Sequence, residues 1–246
     1  MDIQRILDRY DRLMDEKEFD QAGSHLSYWI AEAESTGDDR SAFTLLNELV
    51  GFYRMRGKKE ETITAIEKLL KHTEKMDLAD TVSGATAYIN AATGYKSADM
   101  PKAALPLYRK AQEIYERDLE AGDRRLPALY NNMALTLMAL GDHEEAYATF
   151  NKALAILQTS ENSENEQAIT LLNLADLAQA SLPQEEADEK TAEYAERAKA
   201  LLDTSFENKR DGFKFTAEKC IPAFKYHGYF LAAGDLEEKI KEINRC

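Results

Sequence analysis

The stretch "ALYNNMALTLMALGDHEEAYATFNKALAIL", Ala128 to Leu157, decides how the whole chain reads. Tyr130, Met133, Ala134 and Leu137 recur at the 3, 4, 7 spacing of one helical stripe. Gly141 follows, and a residue without Cβ suits the left-handed backbone that ends a helix. Asp142 and Glu145 have the spacing of a capping box, which predicts side-chain caps on a second helix. Ala146, Phe150 and Ala153 form that helix's stripe. The alanines let two helix backbones approach, and Phe150 fills the remaining space. The stretch predicts an antiparallel helical hairpin with a short turn.

The same spacing recurs elsewhere. A shift of 42 residues toward the N-terminus gives Tyr88, Ala91, Ala92, Tyr95, Asp99, Ala104, Tyr108 and Ala111. A second shift of 42 gives Leu46, Leu49, Val50, Tyr53, Gly57, Thr62, Ile66 and Leu69. A further offset of 40 finds a degraded copy in Ile6, Arg9, Tyr10, Leu13, Lys17, Ala22, Leu26 and Trp29. Forward by 41 stand Leu171, Leu174, Ala175 and Ala178. The last copy reads as Ala223, Tyr226, His227, Phe230, Gly234, Lys239 and Ile243. Between Ala178 and Leu202 about six extra residues break the register. Pro101 and Pro127 suit helix starts, whereas Pro106 and Pro222 fall inside expected helices and should bend them. Ser163 with Glu166 and Asp235 with Glu238 predict two further helix starts.

The aromatic, the apolar–small pair, the turn residue and the later A-x3-F of "YNNMALTL…GDHEEAYATFNKAL" resemble the tetratricopeptide repeat family. The 42-residue period and the "NN" resemble its kinesin-light-chain variety. The resemblance covers most of the chain. It implies an all-α protein, a right-handed α-solenoid of about six antiparallel hairpins in one domain, 1–246. The units would be approximately 1–37, 38–78, 79–121, 122–160, 163–204 and 206–246. It also implies that the first helix of each pair lines a concave groove. "DLEEKIKEINRC" reads as a polar-backed closing helix.

On that groove-lining side, Asn90, Asn132 and Asn173 occupy one register in three consecutive units, with Glu48 in the unit before. Asparagine is a poor helix-interior residue, because its amide competes with the backbone for hydrogen bonds. An amide offers both donor and acceptor, so it can hold the main chain of an extended peptide without reading its side chains. The resemblance implies that use, since related peptide receptors employ groove asparagines in this way. Thr86, Thr93, Leu135, Ile169 and Asp176 lie one turn to either side, and Asn131 adjoins Asn132. The alternative is that each Asn bonds a neighbouring helix. The family's carboxylate clamp needs groove Lys and Arg. Asn47 and Asn131 fit part of it, but only Arg54 and Lys96 supply cations.

The formal net charge of −14 argues against nucleic acid and anionic membranes as partners, because phosphate contact needs clustered Lys and Arg. The basic run "KRDGFKFTAEK" reads as a solvated helix face. A neutral or basic partner segment with apolar anchors fits this charge. No apolar run is long enough to span a bilayer, and the charged N-terminus does not read as a signal peptide, so a cytoplasmic location is expected. Two cysteines do not make a disulfide framework. Cys220 reads as a core thiol and Cys246 as a mobile one. No phosphate-binding Gly loop, GxSxG or HExxH is present. Cys220 and His227 lack a third ligand, so neither metal, cofactor nor catalysis is expected.

These readings lead to a non-catalytic peptide- or protein-binding module. One alternative is a scaffold or homo-oligomer using a convex or terminal face, through Ser181–Leu202 or Phe213–Phe230. Another is a peptide-responsive regulator.

Overall fold

The computed structural model describes residues 1–245, over which it forms twelve α-helices and no strand. Cys246, expected to be mobile, lies outside the described residues. Two compact units divide the chain, residues 1–119 and 120–246.

The first unit holds α1 (Ile3–Asp15) with α2 (Phe19–Thr36), α3 (Asp39–Met55) with α4 (Lys59–Lys75), and α5 (Val82–Ser97) with α6 (Pro101–Asp118). The second holds α7 (Arg125–Leu140) with α8 (His143–Thr159), α9 (Glu164–Ser181) with α10 (Gln184–Glu207), and α11 (Phe213–Tyr226) with α12 (Phe230–Ile243). Each pair is a hairpin. Between hairpins, the second helix of one packs on the first helix of the next, as α2 does on α3, α4 on α5 and α8 on α9. First helices also meet, α3 with α5 and α7 with α9.

The repeated stripes form the core. Tyr108, Phe150, Leu46, Ile66, Leu69, Ala91, Ala92, Ala104, Ala111, Ala146 and Ala153 are all completely buried. Burying a side chain of leucine or phenylalanine size is worth about 1.5–3 kcal/mol, and the stripe places one every turn. Five of the six hairpin turns hold a left-handed residue, Lys17 at φ 60°, Gly57 at 67°, Asp99 at 62°, Gly141 at 84° and Gly228 at 84°, and the α9–α10 turn at Leu182 does not. At Gly141 the motif is complete. Its N–H donates to Met138 O and the Asp142 N–H to Leu137 O, both at 3.0 Å.

Four expectations are corrected. Asp142 stands at the start of α8 but makes no side-chain cap. Ser163 caps nothing either; its hydroxyl donates to Leu157 O at 2.6 Å. The last hairpin turns at Gly228, not Gly234, so Asp235 lies inside α12 rather than starting it. The register is then 87 residues from Gly141, which puts Ala217, Cys220, Phe224 and Ala233 in the core, whereas Tyr226 and Phe230 are 80% and 67% exposed. Finally, the extra residues expected between Ala178 and Leu202 lie at the far end of α10, a 24-residue helix. Ala187, Tyr194 and Ala198 continue the buried stripe at an offset of 41. Pro101 opens α6 as expected, while Pro106 and Pro222 sit within continuous helices.

Cys220 occupies the position of Met133, and burial pushes its thiol up to about 12. The basic run is no single helix face. Lys209 and Arg210 lie in the turn before α11, and Arg210 holds Glu164 at 3.2 Å.

Candidate functional site

The asparagine register falls on α5, α7 and α9, and the structure treats its members differently. In the first unit, Asn90 Nδ2 donates to Asn47 Oδ1 at 2.8 Å, joining α5 to α3. Asn47 in turn donates to Phe43 O at 3.0 Å. Thr93, one turn on from Asn90, bonds the Tyr108 hydroxyl at 2.9 Å and its own helix at Ile89 O. Both groups therefore hold the fold. Glu48, in the same register on α3, is driven above the usual carboxylate range by burial and then by Asp11. Tyr10 beside it is pushed up to about 12, mainly by burial and further by Glu48 and Asp11. Lys96 is half-buried, and burial followed by the Arg54 charge holds its ammonium below the usual value.

In the second unit, Asn131 Nδ2 donates across to Thr170 Oγ1 on α9 at 2.9 Å, a structural bond between first helices. Asn132 donates only to Ala128 O of its own helix, at 3.0 Å. Asn173 on α9 is half-buried, and its amide pairs with no protein group among the described residues. Leu135, also half-buried, lies near one turn on from Asn132 along α7. Asp176 is not free. Its carboxylate meets His227 Nε2 at 2.7 Å, and the His227 side chain is only 3% exposed. This contact ties α9 to the end of α11.

Of the seven residues singled out by sequence, Asn90, Thr93, Asn131 and Asp176 are engaged within the fold. Asn132, Asn173 and Leu135 keep their polar or apolar valence toward solvent. Asn47 and Thr170 were not singled out as partners, although each sits about one repeat from the amide it meets. No group of three or more His, Cys, Asp or Glu among the described residues is placed to hold a metal. No helix among them is long and apolar enough to cross a membrane.

Residues 125–201, the fourth and fifth hairpins, match the family model described as tetratricopeptide repeat. Over these residues the chain carries repeats of the tetratricopeptide type. Its fold matches the apo form of RapI at a TM-score of 0.69 and 13% identity, covering 100% of this chain and 98% of that one. It also matches a kinesin light chain with nearly identical TPR-like repeats from Podosopora anserina. There the TM-score is 0.60 and the identity 18%, covering 80% of this chain and 92% of the other. A Rap protein complexed with competence and sporulation factor matches with a TM-score of 0.55 at 16% identity, over 96% of this chain and 73% of that one. At these identities the likeness is one of fold. No curated protein matches the chain.

Proposed function

We propose that this repeat protein is a non-catalytic interaction module. The solvent side of its first helices takes an extended peptide segment of a partner, with Asn132 and Asn173 holding the peptide main chain. The observation that carries this reading is the Asn173 amide, half-buried and without a protein partner among the described residues. Asn132, in the same register on the adjacent first helix, bonds only its own helix. An amide with no protein partner leaves both its donor and its acceptor open to a peptide C=O and N–H. The Rap protein with competence and sporulation factor supplies a precedent in the same fold for holding such a ligand. Leu135 would offer an apolar contact, and the net charge of −14 favours a neutral or basic peptide with apolar anchors. Asn90, Asn131 and Thr93 would serve by positioning the helices.

The test is a random-peptide display selection on the wild type and on the Asn132→Ala, Asn173→Ala double variant. Anisotropy titration of the enriched peptides follows. Each lost hydrogen bond should cost about 1 kcal/mol, so the double variant should bind roughly thirty-fold more weakly. Asn131→Ala, a variant of an amide committed to Thr170, should lower the melting temperature and leave peptide affinity nearly unchanged. If the double variant selects the same peptides with the same affinity, the reading fails.

A further inference from the structure

The stacking face of the first hairpin carries no preceding helix among the described residues. In the second hairpin, Leu45, Leu46, Leu49 and Phe52 of α3 and Ala65 and Leu69 of α4 form one face, all of it buried. The preceding second helix, α2, lies on that face. A Cβ added at Gly23 of α2 would stand 2.8 Å from the Phe52 ring. The third hairpin repeats the arrangement. A Cβ added at Gly94, one repeat on from Phe52, would stand 2.7 Å from Ile66 and 3.1 Å from Thr62 of α4. Two junctions within the first unit therefore seat a preceding second helix against the same register.

In the first hairpin that register, 40 residues earlier, reads Arg5, Ile6, Arg9 and Arg12 on α1, with His25 and Trp29 on α2. These six residues line an open cavity of about 670 Å³. The three arginines are exposed and spaced 4 and 3 apart, so their guanidinium groups emerge from one side of α1. None of the three guanidinium groups meets a carboxylate among the described residues. The aspartates at the rim are already engaged: Asp2 accepts the Arg5 backbone N–H at 3.2 Å, and Asp8 accepts the Gln4 amide at 2.8 Å. The N-terminal ammonium is held by Asp38 at 2.9 Å. Beneath the arginines lie buried Ile6 and half-buried Trp29, whose ring meets Tyr28 edge-on at 5.2 Å. A face that need only be soluble has no use for an indole beneath an unpaired row of one charge.

We propose that this end face is a second interaction surface, which docks an acidic amphipathic helix of a partner in the place where α2 sits on the next hairpin. The helix's apolar stripe would rest on Ile6 and Trp29, and its carboxylates would pair with Arg5, Arg9 and Arg12. Arginine suits this role, since its planar fork holds a carboxylate through two hydrogen bonds. The surface is distinct from the asparagine face in both its residues and the charge of its ligand.

Trp29 is the sole tryptophan of the chain, so its emission reports on this face directly. The probe is a synthetic amphipathic helix of about 18 residues, long enough to hold helical structure, with Leu on one stripe and Glu flanking it. Its twin carries Lys in place of Glu. The acidic peptide should shift Trp29 emission saturably, and the basic twin should not. Raising NaCl from 50 to 500 mM should weaken binding about tenfold, since exposed charge pairs are screened. Arg9→Glu should abolish binding, and Arg5→Ala and Arg12→Ala should each weaken it several-fold. All three positions are exposed, so circular dichroism should remain that of the wild type. Asn132→Ala with Asn173→Ala should leave this binding intact, which separates failure here from failure of the groove reading. Equal binding of both peptides, no emission shift, or retention of binding by Arg9→Glu would overturn the proposal. So would a shift in Trp29 emission with protein concentration alone, which would make a second copy the occupant.

Discussion

The third hairpin and the last follow the same plan and differ in what holds them. In the third, Ala85, Ala87, Ala91, Ala92, Ala104 and Ala111 are fully buried, so α5 and α6 lie close together. Two tyrosine rings fill the remaining space, and their hydroxyls find threonines: Tyr108 with Thr93 at 2.9 Å and Tyr115 with Thr86 at 2.8 Å. In the last hairpin, Phe224, Ala233 and Leu236 are buried, but Tyr226, Phe230 and Leu231 are exposed around the turn. What fastens α12 to α10 is a square of charges. Lys199 meets Asp203 at 2.6 Å and Asp235 at 2.8 Å, while Lys239 meets Asp235 at 2.9 Å and also Asp203. The third hairpin is held by apolar burial and by hydroxyl pairs within it. The last leans in addition on pairs that water and salt can reach.

The strongest way to break this contrast is a cavity in the third hairpin. Tyr108→Ala should cost about 4 kcal/mol and lower the melting transition of the first unit as a whole, read by calorimetry. Phe224→Ala should cost somewhat less, about 3 kcal/mol, and act locally. Hydrogen exchange should then show α11 and α12 opening while α7 to α9 stay protected. If protection fell evenly across 120–245, the last hairpin would be no weaker than its neighbours.

Acid should separate the two hairpins further. The Lys199 hydrogen bond, aided by Lys239, holds Asp235 below the usual carboxylate range. Its contribution is present above the unfolded value of about 4 and is lost as pH falls through the lower folded value. Lys239 behaves in the opposite sense. Burial depresses it, but hydrogen bonds to Asp203 and Asp235 outweigh that and raise it overall. Its contribution disappears only in strong alkali. The last hairpin should therefore lose exchange protection as pH falls below about 4. These groups are partly exposed, so Asp235→Asn should cost under about 1 kcal/mol. The smallest effect should be that of salt: 0.5 M NaCl should loosen α12 by a few tenths of a kcal/mol.

The same contrast governs what the sequence discloses. The middle hairpins were legible because each stripe position carries a residue of the right size, from Tyr88 to Ala153. At the end, two glycines six residues apart offered equally good turns. Only Gly228 takes the left-handed backbone, and composition alone does not distinguish it from the helical Gly234. The decisive sign was Cys220, which completes the stripe only when the turn is at Gly228. Capping failed at Ser163 because its hydroxyl is spent on Leu157 O and Ser160 O of the preceding turn. At the candidate site the sequence supplied the register of Asn90, Asn132 and Asn173 but not which amides were already spent. That depends on Asn47, 43 residues from Asn90, and on the fact that Asn173 has no equivalent partner.

Gly23 against Phe52 and Gly94 against Ile66 have an evolutionary consequence. The repeats share a common spacing, yet each junction has its own knob and its own hole, with the glycine on the earlier helix at one junction and on the later helix at the next. Hairpins from this chain are therefore not interchangeable parts. A duplicated or shuffled array would bring Phe52 against a helix with a full-sized residue where Gly23 now stands. The chain can grow at its ends more readily than it can be rearranged within, and its order is fixed by fit as much as by inheritance.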